Sequence, residues 1–327
     1  MWAGLLNEAF EEVGNPTLYA FGVLTTLCYV LGLLTGNCSW VDRGWSIFPV
    51  VYTYFLAGAD IRSQVVSTAI LIWGLRLSYN FWRKGGYNPK DEDYRWEYLR
   101  QIIPAGFLWQ AFHLVFISFY QNLLLLCIAV PMTQIKRSGT VAPEWTSLDT
   151  IVLGAFAACL IGEITADNQQ LAFQTAKYAR LDARKKAGKG SVENDPKFAR
   201  GFITSGLFKY SRHPNFFCEI SLWWCVYAFS VSANLAGLAA QKGSNLTLET
   251  LVGLVAEDPY RLVNWTIVGA VQLTLLFQGS TTFTEYITAR KYPLYKLYQR
   301  STSRLIPLWP GNLAALETAD AGKAKAL

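Results

Sequence analysis

The segment around His213 carries the densest group of side chains that could take part in chemistry. Residues 209–219 read KYSRHPNFFCE, which combines cations, an amide and a carboxylate at the start of an apolar stretch. Pro214 suits the first turn of a helix, where its missing N–H leaves no hydrogen bond unmade. Because helix N-termini attract anions, a phosphate bound there would meet Lys209, Arg212 and His213.

Asn215 and Glu219 lie four residues apart, so they share one face of the predicted helix. A carboxylate at membrane depth is costly and is normally functional or paired. The residues alone leave two interpretations open. One is a polar ligand site on this helix face, and the other is a structural salt bridge between Arg212 and Glu219 at the membrane edge.

A second polar group closes another apolar stretch, where residues 163–170 read EITADNQQ. Glu163 and Asp167 are again four residues apart and therefore project from one helix face. Two acids at membrane depth indicate hydrogen bonding to a ribose, an amide or an amine. The alternative is that they neutralise an arginine or lysine from a neighbouring helix.

Two further segments place charge in apolar surroundings. Asp42 and Arg43 lie between two tryptophans in WVDRGW, and Arg76 lies in the middle of a predicted span. An aspartate partly buried among tryptophans would have a raised pKa and could donate a proton. The alternative is a simple interface ion pair between Asp42 and Arg43. Arg76 must find a partner or a water-filled cavity.

Composition and charge spacing indicate which elements hold these groups. Hydrophobic residues make up 52% of the 327-residue chain and charged residues only 16%, against about 25% charged residues in soluble domains. Charges cluster and leave gaps that match the thickness of a bilayer core. The sequence therefore predicts an all-α integral membrane protein with about seven transmembrane helices. The predicted spans are 17–34, 46–58 (tilted or re-entrant), 64–82, 109–131, 148–171, 216–238 and 263–284.

Lys and Arg are distributed unevenly between alternate loops. Twenty-three of them fall in one set of loops, namely 36–46, 83–108, 172–212 and 288–327. Only five fall in the other set, namely 1–16, 59–63, 132–147 and 238–262. The positive-inside rule makes the first set cytosolic, together with the C-terminus. This asymmetry accounts for the net charge of +6 without any nucleic-acid partner.

The predicted layout has three parts: an extracytosolic N-terminus at 1–16, a seven-helix membrane domain at 17–307, and a cytosolic tail at 308–327. The Ala- and Lys-rich composition of the tail predicts disorder. The loop 172–212 is expected to contain one short helix, at 177–186. Six cysteines without a CxxC pair, and only two histidines, argue against a metal site.

The motifs together resemble the DUF1295 family, which is related to steroid 5α-reductases and more remotely to sterol C14 reductases. The resemblance covers residues 40 to 307, and its most specific block contains Asn215 and Glu219. RHP before an aromatic residue also occurs in isoprenylcysteine carboxyl methyltransferases, whereas Asn215 and Glu219 favour the reductases. The matching segments are VDRGWSI, LRLSYNFWRKGGY, EDYRW, ADNQ, GLFKYSRHPNFFCE and YQRSTSRLIP.

The resemblance implies a seven-helix fold with NADPH held in a cavity open to the cytosol. Asp167 matches the cofactor-binding aspartate of the family, and Asn215 and Glu219 match its amide and acid near the nicotinamide. The remaining cofactor candidates implied by position are Tyr210, Arg212 and His213, with Arg180, Arg184 and Arg200 as phosphate ligands in a loop that is long for the family.

The resemblance also implies candidates at the substrate. Asp42, by its spacing to Pro49, matches a glutamate of the steroid reductases that contacts the substrate ketone. The tyrosine that those enzymes place beside it corresponds to Trp73, which is a departure from a steroid site. Arg76 is expected to assist Asp42, whose carboxyl group would be kept neutral in an apolar pocket.

The expected activity is the NADPH-dependent reduction of a C=C bond conjugated to a carbonyl in a steroid- or lipid-like substrate. In a eukaryotic host the expected location is the endoplasmic reticulum membrane, in contact with membrane lipids. Two alternatives stay open. One is a membrane methyltransferase that uses S-adenosylmethionine, and the other is a non-catalytic lipid-binding membrane protein.

Overall fold

The computed structural model describes residues 2–104, 106–188 and 195–325, and within these ranges the chain is helical without a strand. This confirms the all-α prediction. The helices are α1 (Trp2–Val13), α2 (Asn15–Thr35), α3 (Trp40–Gly44), α4 (Phe48–Leu56), α5 (Ile61–Arg83), α6 (Tyr94–Arg100), α7 (Phe107–Phe112), α8 (Gln121–Ala129), α9 (Pro131–Gly139), α10 (Ser147–Lys186), α11 (Pro196–Ala199), α12 (Pro214–Gln241), α13 (Leu248–Glu257), α14 (Ile267–Lys291), α15 (Tyr295–Ser301) and α16 (Ala314–Lys325). A π-helical segment, His113–Tyr120, joins α7 to α8, and 3₁₀ turns cover Gly206–Lys209 and Pro259–Leu262.

Four helical stretches in the described residues are long and apolar enough to cross a membrane. They are α2, the continuous stretch Phe107–Gly139, α10 and α12. These coincide with the first, fourth, fifth and sixth predicted spans, which supports a helical membrane protein.

The other three predicted spans are helical but less suited to crossing a bilayer. Helix α4 has nine residues, about 14 Å of helix. Helices α5 and α14 have 23 and 25 residues and are long enough. Both are more polar than the four stretches named above, because α5 carries Arg76 and α14 carries several threonines.

One compact unit comprises Met1–Gly154 and Trp223–Leu273. Buried polar contacts fix its helices. The Tyr52 hydroxyl on α4 donates to Asn122 on α8, and the Asn122 amide donates to Thr25 on α2 at 2.9 Å. Arg62 on α5 forms a fully buried, two-bond ion pair with Asp149 on α10, at 3.0 and 2.9 Å. Such a pair fixes helix positions, because removing one partner would leave a buried charge without its counter-ion.

The second compact unit comprises Ala155–Leu222 and Thr274–Leu327. Its apolar core contains Phe202, Tyr295, Tyr298 and Leu316. Leu316 belongs to α16, so residues predicted to be a disordered tail form a helix. Alanine has the highest helix propensity, and Leu316, which is 1% exposed, attaches this helix to the aromatic side chains.

Helix α10 also extends beyond the predicted end of its span. We expected a loop from residue 172 with a separate helix at 177–186, but the helix continues without interruption to Lys186. Residues 171–186 contain neither glycine nor proline, so nothing in this segment ends the helix. Asp167 and Arg180 consequently lie on one rigid element.

Candidate functional site

The second unit brings together two of the motifs found in the sequence. Pro214 is the first residue of α12, as predicted. Asn215, in the first turn of α12, donates from Nδ2 to Oδ1 of Asp167 on α10 at 3.4 Å. Asp167 is 5% exposed. The aspartate and the amide that the resemblance assigned to a cofactor are therefore direct neighbours.

Two more carboxylates lie close to this pair. Glu163 lies one turn before Asp167 on α10, and Glu219 lies one turn after Asn215 on α12; both are buried. The helices approach closely, because a Cβ atom placed on Gly162 would lie 2.8 Å from Sγ of Cys218. The two contacts, 215 with 167 and 218 with 162, make the helices antiparallel. Glu219 therefore lies at the level of Glu163.

Gln169 connects the same stretch of α10 to the loop before α12. Its Oε1 accepts a hydrogen bond from the backbone N–H of Leu207 at 2.9 Å. Gly206 permits this contact, because its φ of +63° favours glycine and its missing Cβ leaves room for the Gln169 amide. The ADNQ segment is thereby fixed against the segment that begins at Gly206.

Arg212 pairs with Glu285 of α14, a residue that the sequence interpretation did not single out. Nε of Arg212 lies 2.6 Å from Oε1 of Glu285, and Nη2 lies 3.1 Å from Oε2. Nη1 donates to the carbonyl oxygens of Gln299, at 3.0 Å, and Thr302. Arg212 therefore forms a structural salt bridge, as one of the two interpretations predicted. Its partner is Glu285, and the predicted partner, Glu219, was wrong.

Glu285 also binds the histidine of the motif. Nε2 of His213 lies 3.0 Å from Oε1 of Glu285, and Gln299 donates from Nε2 to Oε2 at 2.9 Å. Burial raises the pKa of Glu285, but hydrogen bonds from His213, Arg212 and Gln299 outweigh it and lower the pKa to about 2. Glu285 is therefore ionised at neutral pH and holds Arg212 and His213 in place.

Backbone hydrogen bonds also attach Arg212 and His213 to the segment that follows α15. The N–H groups of Arg212 and His213 donate to the carbonyl oxygens of Ser303 and Arg304, at 2.8 and 3.2 Å. The SRHP and YQRSTSRLIP motifs are thus in direct contact. Every nitrogen at the end of the Arg212 guanidinium is engaged, so Arg212 positions this segment rather than offering a phosphate site. The one signal that could have revealed Glu285 is that it is the sole acid of α14.

The remaining cofactor candidates lie towards the far end of α10 and in the loop after it. Arg180 is thirteen residues beyond Asp167, about 20 Å along the helix axis. It forms a 3.4 Å ion pair with Asp195 and lies over the ring of Phe198. Arg200 donates to the Thr204 hydroxyl at 2.9 Å. Arg180 therefore cannot share one small ligand group with Asp167.

Tyr210 and Arg184 are the other two candidates. Tyr210 is 40% exposed, and Arg184, one turn beyond Arg180 on α10, is half-buried. Tyr210 offers an aromatic stacking surface, whereas Arg180 and Arg184 offer positive charge further along α10 than Asp167.

In the first unit, Asp42 is held by neighbours other than Arg43. The indole Nε1 of Trp96 donates to Oδ2 of Asp42 at 2.7 Å, and Nη2 of Arg95 lies 3.7 Å from Oδ1. The Asp42 side chain is 10% exposed. Burial raises its pKa and nearby Asp93 adds to the rise, whereas Arg95 and hydrogen bonds from Trp96 and Ser39 oppose it. The predicted raised pKa agrees with this environment.

Arg43 contacts the loop between α5 and α6. Its Nη2 donates to the carbonyl oxygens of Asn88 and Asp91, at 2.9 and 2.8 Å. Asn37 donates to the Asp91 carbonyl oxygen as well, at 2.9 Å. The interface pair Asp42–Arg43 was therefore a wrong prediction, because both side chains have other partners. The hydrogen bonds from Arg43 therefore attach the loop between α5 and α6 to the short helix α3, which carries Asp42.

Trp73 and Arg76 lie one turn apart on α5. Trp73 is fully buried and packs edge-to-face on Trp223, with ring centroids 4.8 Å apart. This contact makes Trp73 a packing residue, without the hydroxyl that a tyrosine would offer to a ketone. Arg76 is half-buried.

Comparisons with known proteins agree with the resemblance in the sequence. The family model described as "Protein of unknown function (DUF1295)" matches residues 28–260, a range that contains Asp42, Asp167 and Asn215. A Schizosaccharomyces pombe protein, described as uncharacterized protein C594.04c, is 32% identical over 327 residues, covering 95% of this chain and 86% of that protein. No solved structure matches the chain. The family match spans more than half of the sequence, and the chain therefore belongs to the DUF1295 family.

Proposed function

We propose that this protein is an NADPH-dependent reductase that saturates a C=C bond conjugated to a carbonyl group in a lipid-like membrane substrate. The observation that carries the proposal is the environment of Asp42, a buried carboxyl group with a raised pKa among aromatic side chains. A raised pKa favours the protonated form of the carboxyl group, and that form can donate a hydrogen bond to an oxygen that becomes negative.

Asp42 has a defined task in such a reaction. Reduction at the β-carbon develops negative charge on the carbonyl oxygen, which a positioned acid stabilises and protonates. Trp96 fixes the orientation of the Asp42 carboxyl group through its 2.7 Å hydrogen bond. Arg95, at 3.7 Å, stabilises the carboxylate that remains after proton transfer. Arg76 is the second candidate to act on the substrate.

The residues of the second unit fit a dinucleotide. Asn215 donates to Asp167, and because a carboxylate can accept several hydrogen bonds, Asp167 can also accept from ribose hydroxyl groups. Glu219 belongs to the same buried group. Tyr210 offers an exposed ring, and Arg180 and Arg200 offer positive charge for phosphates. NADPH, when bound, supplies the hydride; Arg212 and His213 act indirectly, by holding the start of α12 in place.

The proposal includes a topology with all seven spans, in which α4, α5 and α14 join the four helices of clear spanning length. From the distribution of Lys and Arg we infer that the C-terminus and the segments 83–108 and 172–212 face the cytosol. A dinucleotide from the cytosol would then reach the second unit. In a eukaryotic host we propose the endoplasmic reticulum membrane as the location.

The test is to identify the cofactor directly. The protein purified in detergent is analysed by mass spectrometry for bound nucleotides and is then titrated with NADPH and with S-adenosylmethionine. Binding of NADPH in preference to S-adenosylmethionine supports the reductase. Preference for S-adenosylmethionine makes the protein a methyltransferase, and binding of neither by a monodisperse sample leaves a non-catalytic lipid-binding protein.

A further inference from the structure

The segment that follows α15 presents a run of large apolar side chains on the outside of the second unit. Ile306, Leu308 and Trp309 are 53%, 65% and 79% exposed, and the two prolines of the same run are exposed as well. A single exposed leucine needs no explanation, but several large apolar side chains next to one another mark a surface that interacts with something. We call residues 306–310 the apolar tip.

The apolar tip is held at a closed base, so its exposure does not result from a loose segment. Leu305, directly before the tip, is 8% exposed. Directly after the tip, the backbone N–H of Gly311 donates to the carbonyl oxygen of Lys209 at 2.7 Å. Gly311 also lies against the last residue of α15, since a Cβ atom there would be 2.9 Å from the carbonyl oxygen of Ser301. Compact surface loops whose ends meet in this way are frequently functional.

The base of the tip is attached to the start of a helix of membrane-spanning length. The backbone N–H groups of Arg212 and His213, directly before α12, donate to the carbonyl oxygens of Ser303 and Arg304 at 2.8 and 3.2 Å. Helix α12 is one of the four stretches that are long and apolar enough to cross a membrane. The first turn of such a helix lies near the membrane surface, and the tip begins two residues after the Arg304 contact.

The segment that contains the tip carries a net positive charge. Residues 286–316 include five lysines and arginines and no aspartate or glutamate. With α16 included, residues 286–325 have seven cations against two acids. Glu285, directly before this segment, is already bound to Arg212 and His213. The charge around the tip therefore favours an anionic partner.

Three of these cations belong to the elements that form the base of the tip. Lys296 and Arg300 are exposed and four residues apart, so they share one face of α15. Neither forms an ion pair with any residue that the structure describes. Arg304 donates to the Thr282 hydroxyl at 3.1 Å and to the Gln278 side chain, which are both neutral. The positive charge of all three is thus available to an outside partner.

We propose that the apolar tip docks into the headgroup region of the adjacent bilayer leaflet, and that Lys296, Arg300 and Arg304 attract its anionic phospholipids. Tryptophan favours this depth, because its ring is apolar and its N–H can bond to water or headgroups. Apolar side chains flanked by lysine and arginine are typical of elements that lie in this region. The inference does not rest on the reductase activity, because it uses no residue assigned to substrate or cofactor.

Docking of the tip has a consequence for the most specific sequence motif. Ser303 and Arg304 hold Arg212 and His213 through their backbone carbonyl groups. A tip that lies in the headgroup region therefore fixes the depth of the SRHP motif relative to the membrane surface.

The test is photolabelling of the full-length protein in phosphatidylcholine vesicles, with or without added phosphatidylglycerol. Both membranes contain the same trace of a phosphatidylcholine whose photoreactive group lies near the headgroup end of one acyl chain. Labelled tryptic peptides are measured by mass spectrometry, and the tip falls in the peptide 305–323, which begins after Arg304 and ends at Lys323. We expect this peptide to be labelled, and labelled several-fold more when phosphatidylglycerol is present.

Lys296→Gln with Arg300→Gln should remove most of this increase. Each cation near an anionic surface strengthens the attraction about fivefold, and the labelled peptide itself is identical in this variant and in the wild type. Lys185→Gln with Lys186→Gln is the matched control, because it removes two exposed cations at the end of α10. The control should keep the increase.

A second variant tests the apolar contact. Leu308→Ser with Trp309→Ser changes exposed side chains only, so the fold should persist, and labelling should fall about tenfold in both membranes because apolar burial is lost. Equal labelling of wild-type protein in the two membranes, or an undiminished increase in Lys296→Gln with Arg300→Gln, would contradict the proposal. An unlabelled tip, with Lys296 recovered in amine crosslinks between two copies of the chain, would also contradict it and would assign the tip to a protein interface.

Discussion

Arg212 and Glu285 are 73 positions apart in the sequence and form a two-bond ion pair whose side chains are 8% and 7% exposed. The pair joins the loop before α12 to α14, and Arg212 also donates to the carbonyl oxygens of Gln299 in α15 and of Thr302 directly after it. This ion pair therefore holds the most specific sequence motif in place. Within that motif, Arg212 supports the structure, whereas Asn215 contacts Asp167.

Glu285→Gln should destabilise the protein. The change keeps the shape of the side chain but leaves the buried Arg212 without its counter-charge, which typically costs about 3–5 kcal/mol. Thermal unfolding in detergent, followed by circular dichroism, measures the effect. The matched control is Glu257→Gln, since Glu257 also pairs with two cations but is 52% exposed, and exposed pairs contribute about 0–1 kcal/mol. Equal shifts in melting temperature for both variants would contradict this assignment.

The pH dependence of stability should reveal the same group. The folded pKa of Glu285, about 2, lies below its ordinary value of 4.5. Its contribution is thus fully present above the ordinary value and is lost as the pH falls from about 4.5 towards 2. Wild-type stability should fall across this window, and the Glu285→Gln variant should lack that part of the fall. Identical pH profiles would show that Glu285 is not held as a carboxylate.

Gly206 should tolerate alanine poorly. Its φ of +63° is a left-handed conformation, and a Cβ there would collide with the Gln169 amide. The conformation alone costs about 1–2 kcal/mol for a residue other than glycine. Gly154→Ala on α10 is the control, since its Cβ would meet nothing within 4 Å. We expect Gly206→Ala to lower the melting temperature and Gly154→Ala to leave it unchanged or raise it slightly.

Asp167→Ala should weaken NADPH binding while the protein remains monodisperse. The loss of a charge-assisted hydrogen bond corresponds to about 1.5–3 kcal/mol, or tenfold or more in affinity. Asp182→Ala provides the control, because Asp182 is an exposed acid on the same helix. Fluorescence titration with NADPH compares the two. An affinity equal to that of wild type in Asp167→Ala would remove Asp167 from the cofactor site.

Local sequence patterns predicted much of this architecture, for identifiable reasons. Apolar stretches gave the four clear spans because hydrophobicity over about 20 residues is a local property. The spacing of Asn215 and Glu219, and of Glu163 and Asp167, gave helix faces because helical periodicity is local as well. The resemblance then added that Asp167 and Asn215 belong to one site, and the structure confirms that they are neighbours.

What the sequence did not predict depends on contacts between distant segments. Glu285 could not be assigned to Arg212, because Glu219 stood closer in the chain and had equal charge. Trp96, which holds Asp42, lies 54 positions away, and EDYRW by itself gives no sign of that bond. The tail was expected to be disordered from its composition, but Leu316 and Leu313 pack on apolar side chains from distant parts of the chain.

Asp42 should also influence stability in a direction opposite to that of Glu285. Burial raises its pKa above the ordinary value of 3.8, so its contribution is fully present below that value and is lost as the pH rises through the folded pKa. Asp42→Asn should remove this loss and leave the protein at least as stable at neutral pH. A marked loss of stability in Asp42→Asn would instead indicate a carboxylate that the fold requires in its charged form.

The most direct test of the central claim is hydride transfer itself. The purified protein is incubated with lipid-like enones and with NADPH that carries deuterium at the transferable position, and the products are analysed by mass spectrometry. We expect one deuterium on the β-carbon of a saturated product. We also expect Asp42→Asn to slow this transfer by about 10²–10⁴-fold without changing the affinity for NADPH. Transfer at an unchanged rate in Asp42→Asn, or no transfer to any enone by protein that binds NADPH, would contradict the account.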